Sequence, residues 1–143
     1  MSHAKGSRYE RELVNRFRAS GWGALRLPSS GSATDTDLPD VLAGRGVSQT
    51  LTRSHLLAVE LKAGDATTLY VDEAEVAALE RFADRWGATP FLGARFTTQG
   101  SETHTYLVAP DAARQTDGGN YGLPRADIDG RTEWLVTPDG VVR

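Results

Sequence analysis

A glutamate and a lysine two positions apart, preceded by an aspartate, have the types and spacing needed for phosphodiester chemistry. Glu60 and Lys62 fall in a segment of alternating polarity, so on a β-strand both side chains project from the same face. Asp40 follows Pro39, whose ring cannot donate a hydrogen bond to a sheet, which predicts that Asp40 lies at the start of a strand. Converging carboxylates bind hard divalent cations such as Mg²⁺, and a neighbouring lysine adds a fixed positive charge beside a phosphate under attack.

Glu10 is a third candidate carboxylate. On a helix it shares a face with Leu13 and Phe17, so it is directed toward the edge of the core rather than at open solvent. A carboxylate that becomes buried must be paired or bind a metal. From these residues alone an alternative stays open, because the pattern is short: Glu60 and Lys62 as an exposed ion pair, and Asp40 as a turn residue.

Apolar periodicity and turn signals predict the elements that would position these side chains. They indicate an α-β-β-β-α-β-β order, which is typical of a mixed α/β domain. Asp72 and Glu75 have the spacing of a capping box, and glycines follow both helices. The predicted ranges are helices over 5–20 and 72–86, strands over 22–27, 39–43, 54–63, 90–96 and 104–108, and a Gly- and Asp-rich tail over 109–143 with a strand near 132–136.

Composition excludes several classes of protein. The chain has 143 residues, 39% of them hydrophobic and 24% charged, which excludes wholesale disorder. It has no cysteine, so disulfide frameworks, Cys-ligated zinc and cysteine nucleophiles are excluded. No apolar run approaches the roughly 20 residues of a membrane span, and we expect a soluble, cytoplasmic protein without a membrane partner.

The charge is unevenly distributed. The whole chain carries a net charge of −3, yet its first 26 residues contain six basic residues and two acidic ones. This asymmetry indicates a nucleic-acid contact made by the first helix, with Lys5 and Arg8 among the candidate DNA-binding residues. The alternative is a solvated helix face without a partner.

A series of segments resembles one family in a fixed order. The opening segment, Lys5-Gly6-Ser7-Arg8-Tyr9-Glu10-Arg11-Glu12-Leu13-Val14, resembles the first helix of archaeal Holliday junction resolvases of the Hjc type. The segments that match after it are Gly21-Trp22, Arg26, Pro28-Ser29-Ser30-Gly31-Ser32, Pro39-Asp40-Val41, Val59-Glu60-Leu61-Lys62, Leu69-Tyr70-Val71, the helix with Leu79 and Phe82, and Gly87-Ala88-Thr89-Pro90 into Phe96. The resemblance covers about residues 5–96.

This resemblance implies a fold and an activity. The family belongs to the restriction-endonuclease-like nucleases with a PD-(D/E)xK core, so we expect a mixed central β-sheet flanked by helices. We expect one nuclease domain over 1–143, with its core over about 5–108. The implied activity is metal-dependent, paired and symmetric nicking of four-way DNA junctions in recombination and repair. The resemblance also implies a homodimer that uses Mg²⁺, with Mn²⁺ able to replace it, and association with the nucleoid.

The resemblance also implies roles for single residues. Glu10, Asp40 and Glu60 would bind the metal, and Lys62 would stabilise the transition state or orient the attacking water. Ser30 matches a serine that is catalytically important in related enzymes, and Arg11 and Arg26 match basic positions near the active site. One segment departs from the family, because residues 33–37 are acidic where lysines and arginines are common, which puts a DNA contact by this loop in doubt.

Two other functions remain as alternatives at this stage. A nuclease of the same fold could act on a flap, a damaged duplex or plain duplex DNA. A non-catalytic DNA-binding scaffold could keep the fold, although such a protein would tolerate loss of the four polar residues Glu10, Asp40, Glu60 and Lys62, all of which are present.

Overall fold

The computed structural model describes residues 3–28, 38–47, 53–98 and 103–143. These residues form three α-helices and ten strands, with short 3₁₀ turns at 110–112 and 125–127. The helices are α1 His3–Ala19, α2 Glu73–Trp86 and α3 Ile128–Arg131. The strands are β1 Gly23–Arg26, β2 Val41–Arg45, β3 His55–Gly64, β4 Thr68–Val71, β5 Thr89–Phe96, β6 Thr105–Val108, β7 Arg114–Gln115, β8 Tyr121–Pro124, β9 Thr132–Thr137 and β10 Gly140–Val142.

A seven-stranded mixed sheet forms the centre of the fold. Its strand order is β1-β2-β3-β5-β6-β9-β10. β3 and β5 are parallel, and the other neighbouring pairs are antiparallel. The α2 helix connects β4 to β5 and so belongs to the crossover that a parallel β3–β5 pair requires. The predicted mixed sheet flanked by helices is confirmed.

The two long helices cover opposite faces of this sheet. Leu57, Val59 and Leu61 of β3 pack in the cluster that contains the apolar face of α1. Ala58, the residue between two of them, packs in the cluster that contains the apolar face of α2. Because side chains alternate along a strand, the even-numbered residues of β3, including Glu60 and Lys62, project toward the α2 side.

Both helices end at glycines, as predicted. Gly21 follows α1 with φ of 87° and Gly87 follows α2 with φ of 66°, values that favour glycine. Asp72 and Glu75 form both hydrogen bonds of the predicted capping box at the start of α2. The apolar face of α2 continues to Trp86, whose side chain is 59% exposed although its ring stacks on Phe82 with a centroid separation of 5.3 Å.

The strand predictions are confirmed with three differences. No strand is predicted between β3 and α2, where β4 lies. β3 is a central strand, and its middle residues are buried on both faces rather than on one. The tail contributes more structure than the single predicted strand, which is present as β9. β10 also joins the main sheet, and β8 pairs with β4 and β7 in a second, three-stranded sheet. Within the described parts of the chain, no helix has both the length and the apolar character needed to cross a membrane.

Candidate active site

Asp40, Glu60 and Lys62 come together where β2 begins beside the middle of β3. The backbone N–H of Asp40 donates to the carbonyl of Val59 at 3.0 Å. The Oδ2 atom of Asp40 in turn accepts a hydrogen bond from the backbone N–H of Leu61 at 2.8 Å. These two bonds fix Asp40 against the residues on both sides of Glu60. The predicted convergence of the two carboxylates and Lys62 is therefore present.

The two carboxyl groups are held in an environment that disfavours their charge. Burial, as the main cause, raises the pKa of Asp40 to about 6, and the charges of Glu10 and Glu75 raise it further against the hydrogen bond from Leu61 and the charge of Lys62. Burial likewise raises the pKa of Glu60 to about 9, aided by Asp40 and Glu75. A positive charge placed between these groups would favour their ionised forms.

Glu75 of α2 is a fourth acidic residue at this place, and it was not among the predicted site residues. Its Oε2 atom accepts a hydrogen bond from the Lys62 ammonium group at 3.1 Å. Its charge also raises the pKa of the Glu60 carboxyl group, so the two carboxyl groups lie close together. The capping-box spacing was visible in the sequence, but the proximity of α2 to the polar face of β3 depends on the crossover, which the sequence pattern does not specify.

Glu10 lies nearby and is paired with an arginine. Its Oε1 atom accepts a hydrogen bond from Arg26 Nε at 3.2 Å, and Arg26 also donates to the hydroxyl of Ser7 at 3.1 Å. Arg26 ends β1 next to Leu27, whose N–H donates to the carbonyl of Asp40 at 3.0 Å. Glu10 is therefore close enough to Asp40 for its charge to act on that carboxyl group, and Arg26 holds Glu10 at this place.

A second polar pair, which sequence reasoning missed, ties α1 to β5. The Arg95 side chain is buried and donates to both carboxylate oxygens of Glu12, at 2.8 and 3.3 Å. Its guanidinium also lies over the ring of Tyr9, 4.9 Å from the centroid. Glu12 is two residues from Glu10, so this pair holds the part of α1 that carries the candidate ligand. A long-range ion pair of this kind leaves no periodic signal in a sequence.

The remaining predicted residues are placed as follows. Arg8 and Arg11 are exposed on α1, while Arg16 of the same helix turns inward to Glu12 at 3.3 Å. Lys5 belongs to α1, and its side chain lies outside the described residues. Ser30 and the acidic segment 33–37 also lie outside them. Among the described residues, no three acidic or histidine side chains are arranged tightly enough to count as a formed metal site.

Known proteins resemble this chain in sequence and in fold. A family model described as archaeal Holliday junction resolvase (Hjc) matches residues 1–132. The chain is 29% identical to the crossover junction endodeoxyribonuclease Hjc of Sulfurisphaera tokodaii, over 88% of this chain and 80% of the relative. It is 31% identical to the enzyme of the same name from Sulfolobus acidocaldarius, over 82% and 74% of the two chains.

A solved structure extends the comparison to the fold. The structure of Archaeoglobus fulgidus Hjc, a Holliday junction resolvase, is similar to this one with a TM-score of 0.73 and 23% sequence identity. The similarity covers 90% of this chain and 95% of that chain. On the match to the family model and the curated relatives, this chain belongs to the archaeal Holliday junction resolvase (Hjc) family.

Proposed function

We propose that this protein is a crossover junction endodeoxyribonuclease that resolves four-way DNA junctions by paired, metal-dependent nicking. The observation that carries the proposal is the meeting of Asp40, directly before β2, with Glu60 and Lys62 of β3, where both carboxyl groups are half-buried. Membership of the family, whose curated relatives bear this activity in their names, supports the substrate. Two half-buried carboxylates kept together without a metal would weaken the fold, which favours a functional reason for their position.

The donor set fits a hard divalent cation, and we assign Mg²⁺, with Mn²⁺ able to replace it. Asp40 and Glu60 offer oxygen atoms whose ionised forms a cation would stabilise, and Glu10 borders them. These three residues would hold the ion. When bound, such an ion lowers the pKa of a coordinated water from about 15.7 toward 7 and neutralises phosphate charge.

The other residues at the site act on the phosphate and on the carboxylates. The Lys62 ammonium group supplies positive charge where negative charge develops on the phosphate, or orients the attacking water. Arg26 holds Glu10 in place through the bond at 3.2 Å and brings a second positive charge close to the scissile backbone. Ser30 matches a serine that is catalytically important in related enzymes, and it is proposed to contact the reacting phosphate.

DNA binding is assigned to the basic residues of α1 and to Arg26. Lys5, Arg8 and Arg11 belong to α1, and the last two are exposed in the structure. Arginines at such positions contact phosphates and orient the duplex arms, without reading their sequence. Because the proposed substrate is DNA, we expect the enzyme to associate with the nucleoid.

A homodimer is part of the proposal, because paired nicks at symmetry-related positions need two active sites. A two-fold interface uses the same surface on both copies. The end of α2 offers such a surface, since Trp86 is largely exposed while its ring stacks on the buried Phe82. An exposed tryptophan beside an apolar helix face is typical of an interface.

The test is cleavage of a panel of labelled substrates by the purified protein. Four-way junction, flap and duplex DNA are each incubated with Mg²⁺ or with EDTA, and the mass of the free protein is measured by light scattering. We expect symmetric nicks in the junction, dependence on Mg²⁺ and the mass of a dimer. Asp40→Ala should abolish cleavage and retain junction binding, because the phosphate contacts lie elsewhere.

Preferential cleavage of flap or duplex DNA would contradict the assigned substrate. Junction binding without cleavage under any metal condition would instead favour a scaffold. Near-normal cleavage by Asp40→Ala would contradict the assigned site.

A further inference from the structure

We infer that Glu75 is a positioning residue of this nuclease, holding the Lys62 ammonium group beside the Glu60 carboxyl group from the first turn of α2. The inference rests on the proposed function, because it assigns Glu75 a task relative to the residues that would act on DNA. It adds a fourth acidic side chain to a site otherwise built from α1, the start of β2, and β3. This side chain comes from α2, the helix of the β3–β5 crossover.

The first step concerns the freedom of Lys62. Its side chain is 32% exposed and ends in a compact ammonium group on a flexible four-carbon stem. A lysine that samples many rotamers places its charge beside the phosphate for only part of the time, and the benefit of orientation is then lost. The hydrogen bond from Lys62 Nζ to Glu75 Oε2, 3.1 Å long, selects one placement of this charge.

The second step concerns what holds Glu75 itself. Its other oxygen, Oε1, accepts a hydrogen bond from the backbone N–H of Asp72 at 3.2 Å. This bond is half of the capping box, in which the Asp72 side chain also accepts from the backbone N–H of Glu75. The Glu75 carboxylate therefore has a fixed orientation, and the positive end of the helix dipole favours its charge.

The third step concerns Glu60. The charge of Glu75 acts on the Glu60 carboxyl group, so the ammonium group that Glu75 holds is kept close to this candidate metal ligand. Lys62 and Glu60 project from one face of β3 toward α2, so the Glu75 side chain that binds Lys62 lies on the same side of the sheet as Glu60. An ordinary capping box needs only the bonds between Asp72 and Glu75, and it gives no reason for the contacts with β3.

Three variants separate positioning from helix capping. Glu75→Ala removes both functions, and Glu75→Gln keeps an amide oxygen for Lys62 but loses the second acceptor, which the N–H of Asp72 uses. Asp72→Ala is the matched control, because it removes the Asp72 half of the cap and leaves the Glu75 carboxylate in place. Melting temperature, junction affinity in EDTA and single-turnover cleavage with Mg²⁺ are measured for each.

We expect Glu75→Ala to cleave at least tenfold more slowly than the wild type, with junction affinity within twofold. Glu75→Gln should retain most of the rate. Asp72→Ala should stay within twofold of the wild-type rate even where its melting temperature falls as far as that of Glu75→Ala. A Glu75→Ala rate within twofold of wild type, or an equal loss in Asp72→Ala, would overturn the inference.

A measurement on Lys62 itself tests the inference without relying on cleavage. The chain contains only two lysines, Lys5 and Lys62, so reductive ¹³C-methylation gives few lysine signals, which Lys5→Arg assigns. We expect the Lys62 signal to shift in Glu75→Ala and to stay in place in Asp72→Ala. An unmoved Lys62 signal in Glu75→Ala would overturn the inference, even if the wild type cleaves junctions. A wild type that cleaves no junction would overturn the proposed function and this inference with it.

Discussion

At the residue scale, the acidic site works against the stability of the fold. Asp40 and Glu60 are raised in pKa by burial and by neighbouring carboxylates, and such shifts mean that the folded chain resists their ionisation. Clusters of catalytic groups commonly lower the stability of the fold, because their positions serve the chemistry rather than the packing. A bound cation would recover that stability.

The raised pKa of Glu60 predicts that Glu60→Gln stabilises the metal-free protein at alkaline pH. The folded pKa of Glu60, about 9, is above its unfolded value, so between pH 4.5 and 9 the folded state binds more protons than the unfolded state. Wild-type stability therefore falls as pH rises through this window, and glutamine removes that dependence. We expect a gain of about 2 kcal/mol at pH 8 in EDTA, or several degrees in melting temperature.

The measurement is a set of melting curves in EDTA from pH 5 to 9. Glu80→Gln, which removes an exposed carboxylate from α2, is the comparison variant. Added Mg²⁺ should raise the wild-type melting temperature at pH 8 and have less effect on Glu60→Gln. Parallel pH profiles for wild type and Glu60→Gln would contradict the prediction.

The residues of the site were predictable to different extents. Asp40, Glu60 and Lys62 follow from strand alternation and a proline, both of which are local features. Glu75 and Arg95 act through partners 13 and 83 positions away, and no spacing rule reaches that far. Their roles depend on which helix covers which face of the sheet.

At the element scale, α1 and α2 were predictable because each contains its own stop signal and a continuous apolar face. The strand order was not. The parallel pairing of β3 with β5 is a long-range contact, and β4 is a four-residue strand whose partner, β8, lies about fifty positions later. Short strands of mixed burial carry little periodicity, and two of the three strands of the second sheet lie in the Gly-rich tail, which is why this sheet was missed.

The link between α1 and β5 predicts a coupled effect of Arg95 and Glu12. Arg95→Met leaves the Glu12 carboxylate without its nearest bond, and we expect a loss of about 2–4 kcal/mol in the free energy of unfolding. Glu12→Met removes the carboxylate that the buried Arg95 guanidinium binds, and it should lower the free energy of unfolding by a comparable amount. The double variant should be more stable than the sum of the two losses, because both buried charges are then gone.

Urea unfolding of the four proteins gives this coupling free energy. Cleavage measured well below the melting temperature adds a functional readout, since a loosened α1 displaces Glu10. We expect Arg95→Met to cleave more slowly than the wild type under those conditions. Strictly additive losses would show that the pair is not coupled.

At the scale of the whole molecule, an acidic protein must bind a polyanion. The net charge of −3 opposes approach to DNA, while the exposed arginines of α1 concentrate positive charge on one side. The structure reduces the number of α1 arginines that are free to contact DNA. Arg16 turns inward to Glu12 and to the backbone carbonyl of Thr103, and Arg18 donates to the carbonyl of Ala24 at 2.9 Å. Within the described parts of the chain, Arg8 and Arg11 are the exposed arginines of α1 that form neither an ion pair nor a hydrogen bond.

This arrangement predicts unequal effects on the salt dependence of junction binding. Each phosphate neutralised contributes roughly −0.9 to the slope of log affinity against log salt on duplex DNA. Arg11→Ala and Arg8→Ala should each flatten the slope by about one unit, and Arg16→Ala should leave it nearly unchanged, because its guanidinium is bound within the protein. The slopes are measured in EDTA, so that no cleavage occurs, from low salt upward. Because the acidic remainder of the chain is screened together with the attraction, the wild-type slope itself should be shallow for the number of contacts. If Arg16→Ala flattened the slope of log affinity against log salt as much as Arg11→Ala, α1 would contact the DNA with a different face from the one that the structure exposes.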